Sequence, residues 1–391
     1  MLYFNELLEK KDIMDREFSL TGITWDHPRA IDGLQACSSD SLRKFAAEVT
    51  WSTRSLLAFG DQHISEFASE HDLLIIDHPH VPDAVVSGSV LPLDQLLEPS
   101  LLAQLAQESV GESHNSYGYR GHIWALAIDT AAQVSVYREG TGGVPPFWSD
   151  VLADAKGGRV LWPHKPVDAF STFATLMAQQ GKPLLNADTA CDPGAAEFAL
   201  NLMVELSALT PDICSRSNPI DVAEMLAGSN DYDYSPALYG YTNYSRLGFR
   251  RNRLLYDDIV SFDGKAAGSQ LGGAGIAVSS TTKHPELAGA IAAHLSLAES
   301  QAGQYTTGGG QPGNLHAWLH PGLNELTANF FRNTLRTLER AWVRPRIFGY
   351  PDYQMAVSLI VHSALVAKKF SSATITEIEA QAAIHLKESW H

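Results

Sequence analysis

Apolar positions in the first part of the chain alternate between short unbroken runs and longer stretches with helical spacing. Leu20 to Thr24 predicts a first strand, closed by Trp25-Asp26-His27-Pro28-Arg29, and a helix over 30–37 follows. Residues 49–51 predict a second strand. From Leu56 to Glu70 the pattern is helical, with Leu57, Ile64 and Phe67 near one face. Residues 73–76 (Leu-Leu-Ile-Ile) are a short apolar run bounded by Asp72 and Asp77, which fits a strand buried on both faces of a parallel sheet. This β-α-β-α-β order predicts an α/β fold in which ligands meet the carboxyl ends of strands.

A second block of strand and helix signals starts near Ser116. Strands are expected over 123–128 and 160–162, and helices over 170–180 and 195–209. A further helix closes at Met225 to Gly228, before a segment dense in tyrosine. Ser269-Gln270-Leu271-Gly272-Gly273-Ala274-Gly275 is a glycine-rich turn that runs into an apolar strand, and an Ala-rich helix follows over 288–297. Glycine lets a backbone approach another molecule closely. No acid, base or nucleophile accompanies these glycines, so they suggest a surface that holds rather than cuts. The C-terminal part reads as helices over 323–342, 353–370 and 374–388. The stretch Met1–Phe18 reads as a short amphipathic helix.

Length and composition narrow the function. A chain of 391 residues is too long for one ordinary core, which points to two lobes. No run of 18 apolar residues is present, so no helix spans a membrane. The formal charge of −16 argues against a nucleic-acid partner, because phosphate neutralisation needs a basic face. Cys37, Cys191 and Cys214 give neither a zinc spacing nor a disulfide framework. The last two flank a helix about 25 Å long, too long to bridge, so all three are read as ordinary thiols. There is no G-x-S-x-G, no P-loop, no H-E-x-x-H and no dinucleotide fingerprint. Neither an enzyme nor a cofactor is expected.

Further motifs arrive in a fixed order. Asp72 to Asp77 is followed by Gly88-Ser89-Val90-Leu91-Pro92-Leu93-Asp94, then by Tyr119-Arg120-Gly121-His122-Ile123-Trp124. Tyr137-Arg138 and Pro146-Phe147-Trp148-Ser149-Asp150 come next, and Arg344-Pro345-Arg346 precedes Tyr350 and Gln354. With the glycine-rich turn, this order resembles the extracellular solute-binding proteins of ABC importers, family 1, a group that includes sugar-binding proteins. The resemblance spans about residues 20–385. It implies the periplasmic-binding-protein type II fold, with two lobes, each a mixed sheet flanked by helices, and a hinge. Lobe one would hold 1–115 and 265–318, and lobe two 116–264 and 319–391. It also implies capture of a small polar solute, a carbohydrate or an organic acid, in an interlobe cleft. The partners would be ABC permease membrane subunits, the binding protein a monomer, and the location periplasmic. Met1–Phe18 lacks the basic, apolar and small-residue regions of an export signal. That leaves either a truncated or misassigned start or a cytoplasmic protein.

Candidate ligand contacts follow from residue chemistry. Trp25, Asp26, His27 and Arg29 present an indole, a carboxylate, an imidazole and a guanidinium at one strand end, where arginine would suit a carboxylate ligand. Against that stands a turn in which Asp26 caps the next helix and Pro28 starts it. Asp77 and His78 repeat the Asp-His-Pro triplet after another strand and would converge on the same crevice, with metal ligation as a weaker alternative. Tyr239, Tyr241 and Asn243 share one face if extended, and the resemblance implies that an aromatic here stacks on the ligand. A tyrosine pair for ferric iron is the other option. Trp51 and Tyr119 could add strand-end contacts. Gly272 and Gly273 could offer backbone N–H groups or simply bend the strand entry. Arg346 matches the Arg-Pro-Arg of the resemblance, or ion-pairs with an acid. The competing function is a cytoplasmic enzyme or ligand sensor on the same fold, with Asp26, His27 and His78 as an acid/base cluster.

Overall fold

The computed structural model describes residues 18–389, so the helix expected over Met1–Phe18 lies outside the described residues, apart from Phe18. The described strands are β1 (Phe18–Trp25), β2 (Ala47–Arg54), β3 (Leu73–Ile76), β4 (Gly118–Tyr119), β5 (His122–Ile123), β6 (Leu126–Arg138), β7 (Tyr234–Tyr239), β8 (Leu254–Asp257) and β9 (Leu271–Val278). The chain divides into two compact units. The first runs to Ser109 and adds Tyr117–Asp129 and Ala274–Ala317. The second comprises Val110–Ser116, Thr130–Gly273 and the chain from Trp318 onward.

In the first unit the strand order is β2-β1-β3-β9. The first three are parallel, and β9 runs antiparallel to β3. Side chains alternate across a strand, and here both faces are covered. Leu73 and Ile75 join a core cluster with Leu20, Leu34 and Ile276, while Leu74 and Ile76 join another with Ile23, Val81 and Ala277. That two-sided burial is why residues 73–76 carry no polar position. The helix Pro28–Phe45 covers one face with Ala30, Leu34 and Cys37. It starts at Pro28, behind an extended His27, and stops at Ala46 in the left-handed region.

In the second unit β7 and β8 both pair antiparallel with β6, whose register shifts between Val134 and Val136. The helices Pro166–Gln179, Pro193–Leu209 and Tyr350–Ala367 supply Phe170, Phe173, Met203, Tyr353 and Val357 to one large core cluster.

Several expected elements change shape. Residues 56–70 form a short helix, Leu56–Asp61, and two single 3₁₀ turns rather than one long helix. The C-terminal helix over 323–342 is two, Pro321–Leu326 and Phe330–Glu339, because Ala328 and Asn329 both adopt positive φ. The strand over 160–162 contracts to one bridge between Val160 and Tyr234. The second strand, expected over 49–51, runs from Ala47 to Arg54. Among the described residues no helix is long and apolar enough to cross a membrane.

Candidate functional site

The two Asp-His-Pro triplets lie at neighbouring strand ends of the first unit. Gly22 and Ile23 of β1 face Leu73 and Leu74 of β3 in parallel register, and continuing that register sets Asp26 beside Asp77. The triplets nevertheless do different work. After β1 the cap is His27, whose Nδ1 accepts the Arg29 backbone N–H at 3.0 Å, while Asp26 stays exposed. The capping role weighed for Asp26 therefore falls one residue later, because Pro28 occupies the first helical position. After β3 the cap is Asp77. Its Oδ1 accepts the His78 backbone N–H at 2.8 Å and lies 3.2 Å from the His78 Nδ1. His78 is buried and meets the Tyr117 ring edge-on at 6.2 Å.

Arg29 turns inward. Its Nε donates to Asp129 Oδ2 at 2.8 Å and its Nη2 to the other carboxylate oxygen, a bidentate pair. Both residues are 3% exposed or less. Burial pushes the Asp129 carboxyl above its ordinary range, with Arg29 pulling it down and Asp77 adding repulsion. Such a pair is geometrically specific and strongly interacting. The guanidinium charge that would suit an anionic ligand is thus met within the unit. Trp25 is also largely enclosed, at 4% exposure, with Phe59 at 4.7 Å between ring centroids and the Arg29 guanidinium at 5.9 Å.

Sequence reasoning missed Arg54, the last residue of β2 and the register partner of Trp25. Its guanidinium sits 4.0 Å from the Phe67 ring centroid and 5.5 Å from Phe59, and donates to Ile75 O at 3.2 Å and Ala58 O at 3.4 Å. Burial lowers its pKa to about 10. The available signal was a basic residue in the polar stretch just past a strand-like run. Trp51 lies across Gly22: a Cβ at Gly22 would come within 2.4 Å of the indole, so only glycine admits the ring. Tyr119 is 9% exposed, with the Arg120 guanidinium 5.0 Å from its ring centroid, and its carbonyl accepts the Trp124 indole N–H at 2.9 Å.

In the second unit two predicted residues meet directly. Tyr239 ends β7, and one edge of its ring presses on Gly272, where a Cβ would lie 2.7 Å from Cε1. The next residue, Gly273, has φ of 123° and is glycine for that reason. Behind the phenol lies a neutral polar network. Gln270 Nε2 donates to the Tyr239 hydroxyl at 2.8 Å and to Ser171 Oγ at 3.1 Å. The Gln270 backbone N–H donates to Thr175 Oγ1 at 3.0 Å, and that hydroxyl donates to Gln133 Oε1 at 2.7 Å. Gln133 Nε2 and the Trp162 indole both donate to Thr172 Oγ1, at 3.0 and 3.1 Å.

The face expected to join Tyr239, Tyr241 and Asn243 does not form. Thr242–Ser245 coils into a 3₁₀ turn capped by Tyr241, which breaks the two-residue alternation; Tyr241 and Asn243 are 4% and 2% exposed. Arg346 is half-buried and donates from Nη1 to the Arg344 carbonyl at 3.2 Å. Burial lowers its pKa, against the attraction of Glu112. Among the described residues no group of three or more His, Cys, Asp or Glu could hold a metal ion. The three cysteines are free and buried, and burial raises their thiols to about 12 for Cys37 and Cys191 and about 11 for Cys214.

No protein-family model matches the chain, and no curated protein matches its sequence. Solved structures do match, over nearly its whole length. The maltose-bound MalE3 of T. maritima superposes with a TM-score of 0.79 at 17% identity, covering 94% of this chain and 99% of that one. An ABC transporter solute-binding protein of Thermotoga lettingae bound with α-D-tagatose gives 0.78 at 18% identity, with the same coverage. Another from Agrobacterium radiobacter, in complex with ribitol, gives 0.73 at 17% identity, covering 93% and 98%. The fold is that of the two-lobed ABC-transporter solute-binding proteins, the periplasmic-binding-protein type II architecture.

Proposed function

We propose that this chain is the solute-binding component of an ABC importer and that it captures a small, neutral, polyhydroxylated solute, a carbohydrate or polyol. The observation that carries this reading is the end-to-end likeness to sugar- and polyol-bound solute-binding proteins, in which 94% of this chain aligns with 99% of the maltose-bound one. Fold alone does not imply function, so the chemistry of the residues matters too. A phenol offers an apolar face to sugar C–H groups and a polar tip to hydroxyls, which suits Tyr239. The bidentate Arg29–Asp129 pair favours a neutral ligand over an organic acid, since the guanidinium already has its counter-ion. Asp77, His78, Trp51, Tyr119, Tyr241, Asn243, Gly272, Gly273 and Arg346 remain contacts to be tested one by one. Permease subunits of the transporter are the partners, and the working location is outside the cytoplasmic membrane.

A thermal-shift panel of maltose, D-tagatose, ribitol and citrate tests the reading. A true ligand at a hundred times its Kd adds about 2.7 kcal/mol of stability. The expected result is a shift with at least one neutral compound and none with citrate. A shift with citrate alone, or consumption of the bound compound on incubation, overturns it.

A further inference from the structure

We propose that Gln270 is a positioning residue for solute capture: its amide, working with the bare backbone of Gly272, fixes the plane of the Tyr239 ring. This rests on the reading of Tyr239 as a ligand wall. Gln270 is 1% exposed, so it touches no solute from where it sits. Its side chain reaches the phenol oxygen at 2.8 Å, and two residues later, just inside β9, the ring edge meets Gly272. A ring met at its edge by backbone and at its tip by an amide is restrained about both of its side-chain bonds. A phenol without such restraint rotates about two side-chain bonds, and a solute stacking on it would have to arrest that motion at the expense of affinity.

The anchor itself is rigid. The Gln270 backbone forms a parallel bridge with Trp342, and its N–H donates to Thr175 Oγ1 at 3.0 Å. Ser269 Oγ on one side donates to Gln133 O at 2.6 Å, and Leu271 N on the other donates to Trp342 O at 2.8 Å. One amide terminus, Nε2, serves both Ser171 and Tyr239, while Oε1 is buried without a partner. An orphaned buried acceptor carries a free-energy cost. The side chain keeps that cost to hold the phenol, where an aliphatic residue would avoid it. The placement also explains the glycine-rich run: Gln270 supplies the hold, Gly272 the clearance and Gly273 the turn.

The test has a ligand-free arm and a binding arm. Protein labelled with 3-fluorotyrosine is examined by ¹⁹F NMR, the Tyr239 resonance being identified by its loss in Tyr239→Phe. Gln270→Leu should move that resonance and change its line width, and Gln270→Asn, one methylene shorter, should do the same without adding an apolar side chain. Gln270→Glu, whose carboxylate can accept the phenol proton, should restore the restrained line. An unchanged Tyr239 line in both Gln270→Leu and Gln270→Asn overturns the proposal. In the binding arm the probe is whichever of maltose, D-tagatose or ribitol gives the largest thermal shift. Gln270→Leu should weaken it roughly tenfold and should cause no further loss in a Tyr239→Phe background. An equal loss in both backgrounds also overturns the proposal, because Gln270 would then act without Tyr239. If Tyr239→Ala binds as tightly as the parent, or no probe binds, the functional reading of Tyr239 fails, and the fluorine spectrum alone decides whether Gln270 restrains the ring.

Discussion

The two units solve the same problem in opposite ways. Each must carry polar side chains into its interior near strand ends. The first uses full charges: Arg29 against Asp129, and Arg54 against two aromatic rings and two carbonyls. Around Tyr239 the second uses neutral groups, with Gln133, Ser171, Thr172, Thr175, Gln270 and Tyr239 passing hydrogen bonds among amides and hydroxyls, and even its buried Arg344 donates to a neutral amide, Gln354 Oε1, at 3.3 Å. A buried charge pair is an all-or-nothing arrangement, since losing one partner strands the other in a medium that cannot solvate it. A neutral network divides its cost over many bonds, each worth about 1 kcal/mol. The first unit should therefore be brittle at one point and the second forgiving at several.

The largest expected effect breaks the charged side of that contrast. Arg29→Met leaves Asp129 unpaired and should cost about 3–5 kcal/mol in urea unfolding, with Arg29→Met/Asp129→Leu recovering most of the loss. A single-variant loss below about 1 kcal/mol, the scale of a neutral hydrogen bond, would erase the difference between the units. The next effect marks where the neutral side becomes vulnerable. His164 is 3% exposed, stacks on Trp162 at 4.7 Å, and burial lowers its pKa to about 4. The unfolded chain binds a proton near pH 6.5 and the folded chain only near 4. Stability should thus fall as pH drops through that window, by about 3 kcal/mol in total from this group. Denaturation midpoints at pH 7 and pH 4.5 check it, and His164→Phe should flatten the difference. An unflattened slope assigns the loss to other groups. The smallest effect compares the triplets. His27→Ala removes a helix cap and should cost about 1 kcal/mol, whereas His27→Asn should retain most of that stability. Equal losses in the two variants would show that packing around the imidazole matters more than its hydrogen bond.

Periodicity carried the fold further than it carried the site. The four-residue apolar run at 73–76 was readable because burial on both faces dictates it, and the helix expected over 30–37 is present but runs from Pro28 to Phe45. The break at Ala328–Asn329 was not, because neither residue is a glycine or proline, and positive φ there answers to tertiary packing. At the site, sequence placed both Asp-His-Pro triplets at strand ends, where the structure has them. It did not reveal that Arg29 would find Asp129, a partner one hundred positions away. It also treated the Tyr239–Asn243 segment as extended, since a single 3₁₀ turn leaves no period to detect. Gln270 stood in the most conspicuous motif of the chain, yet its contact with Tyr239 spans thirty-one positions and has no local signature.

The burial of all three thiols has a practical consequence. With pKa values raised to about 11 and 12, they present almost no thiolate at neutral pH and no surface to a maleimide. A single cysteine introduced at an exposed position should take a fluorophore or spin label selectively in the otherwise unaltered chain. Two such positions, one in each unit, would give a pair of labels whose separation can be compared with and without an added sugar.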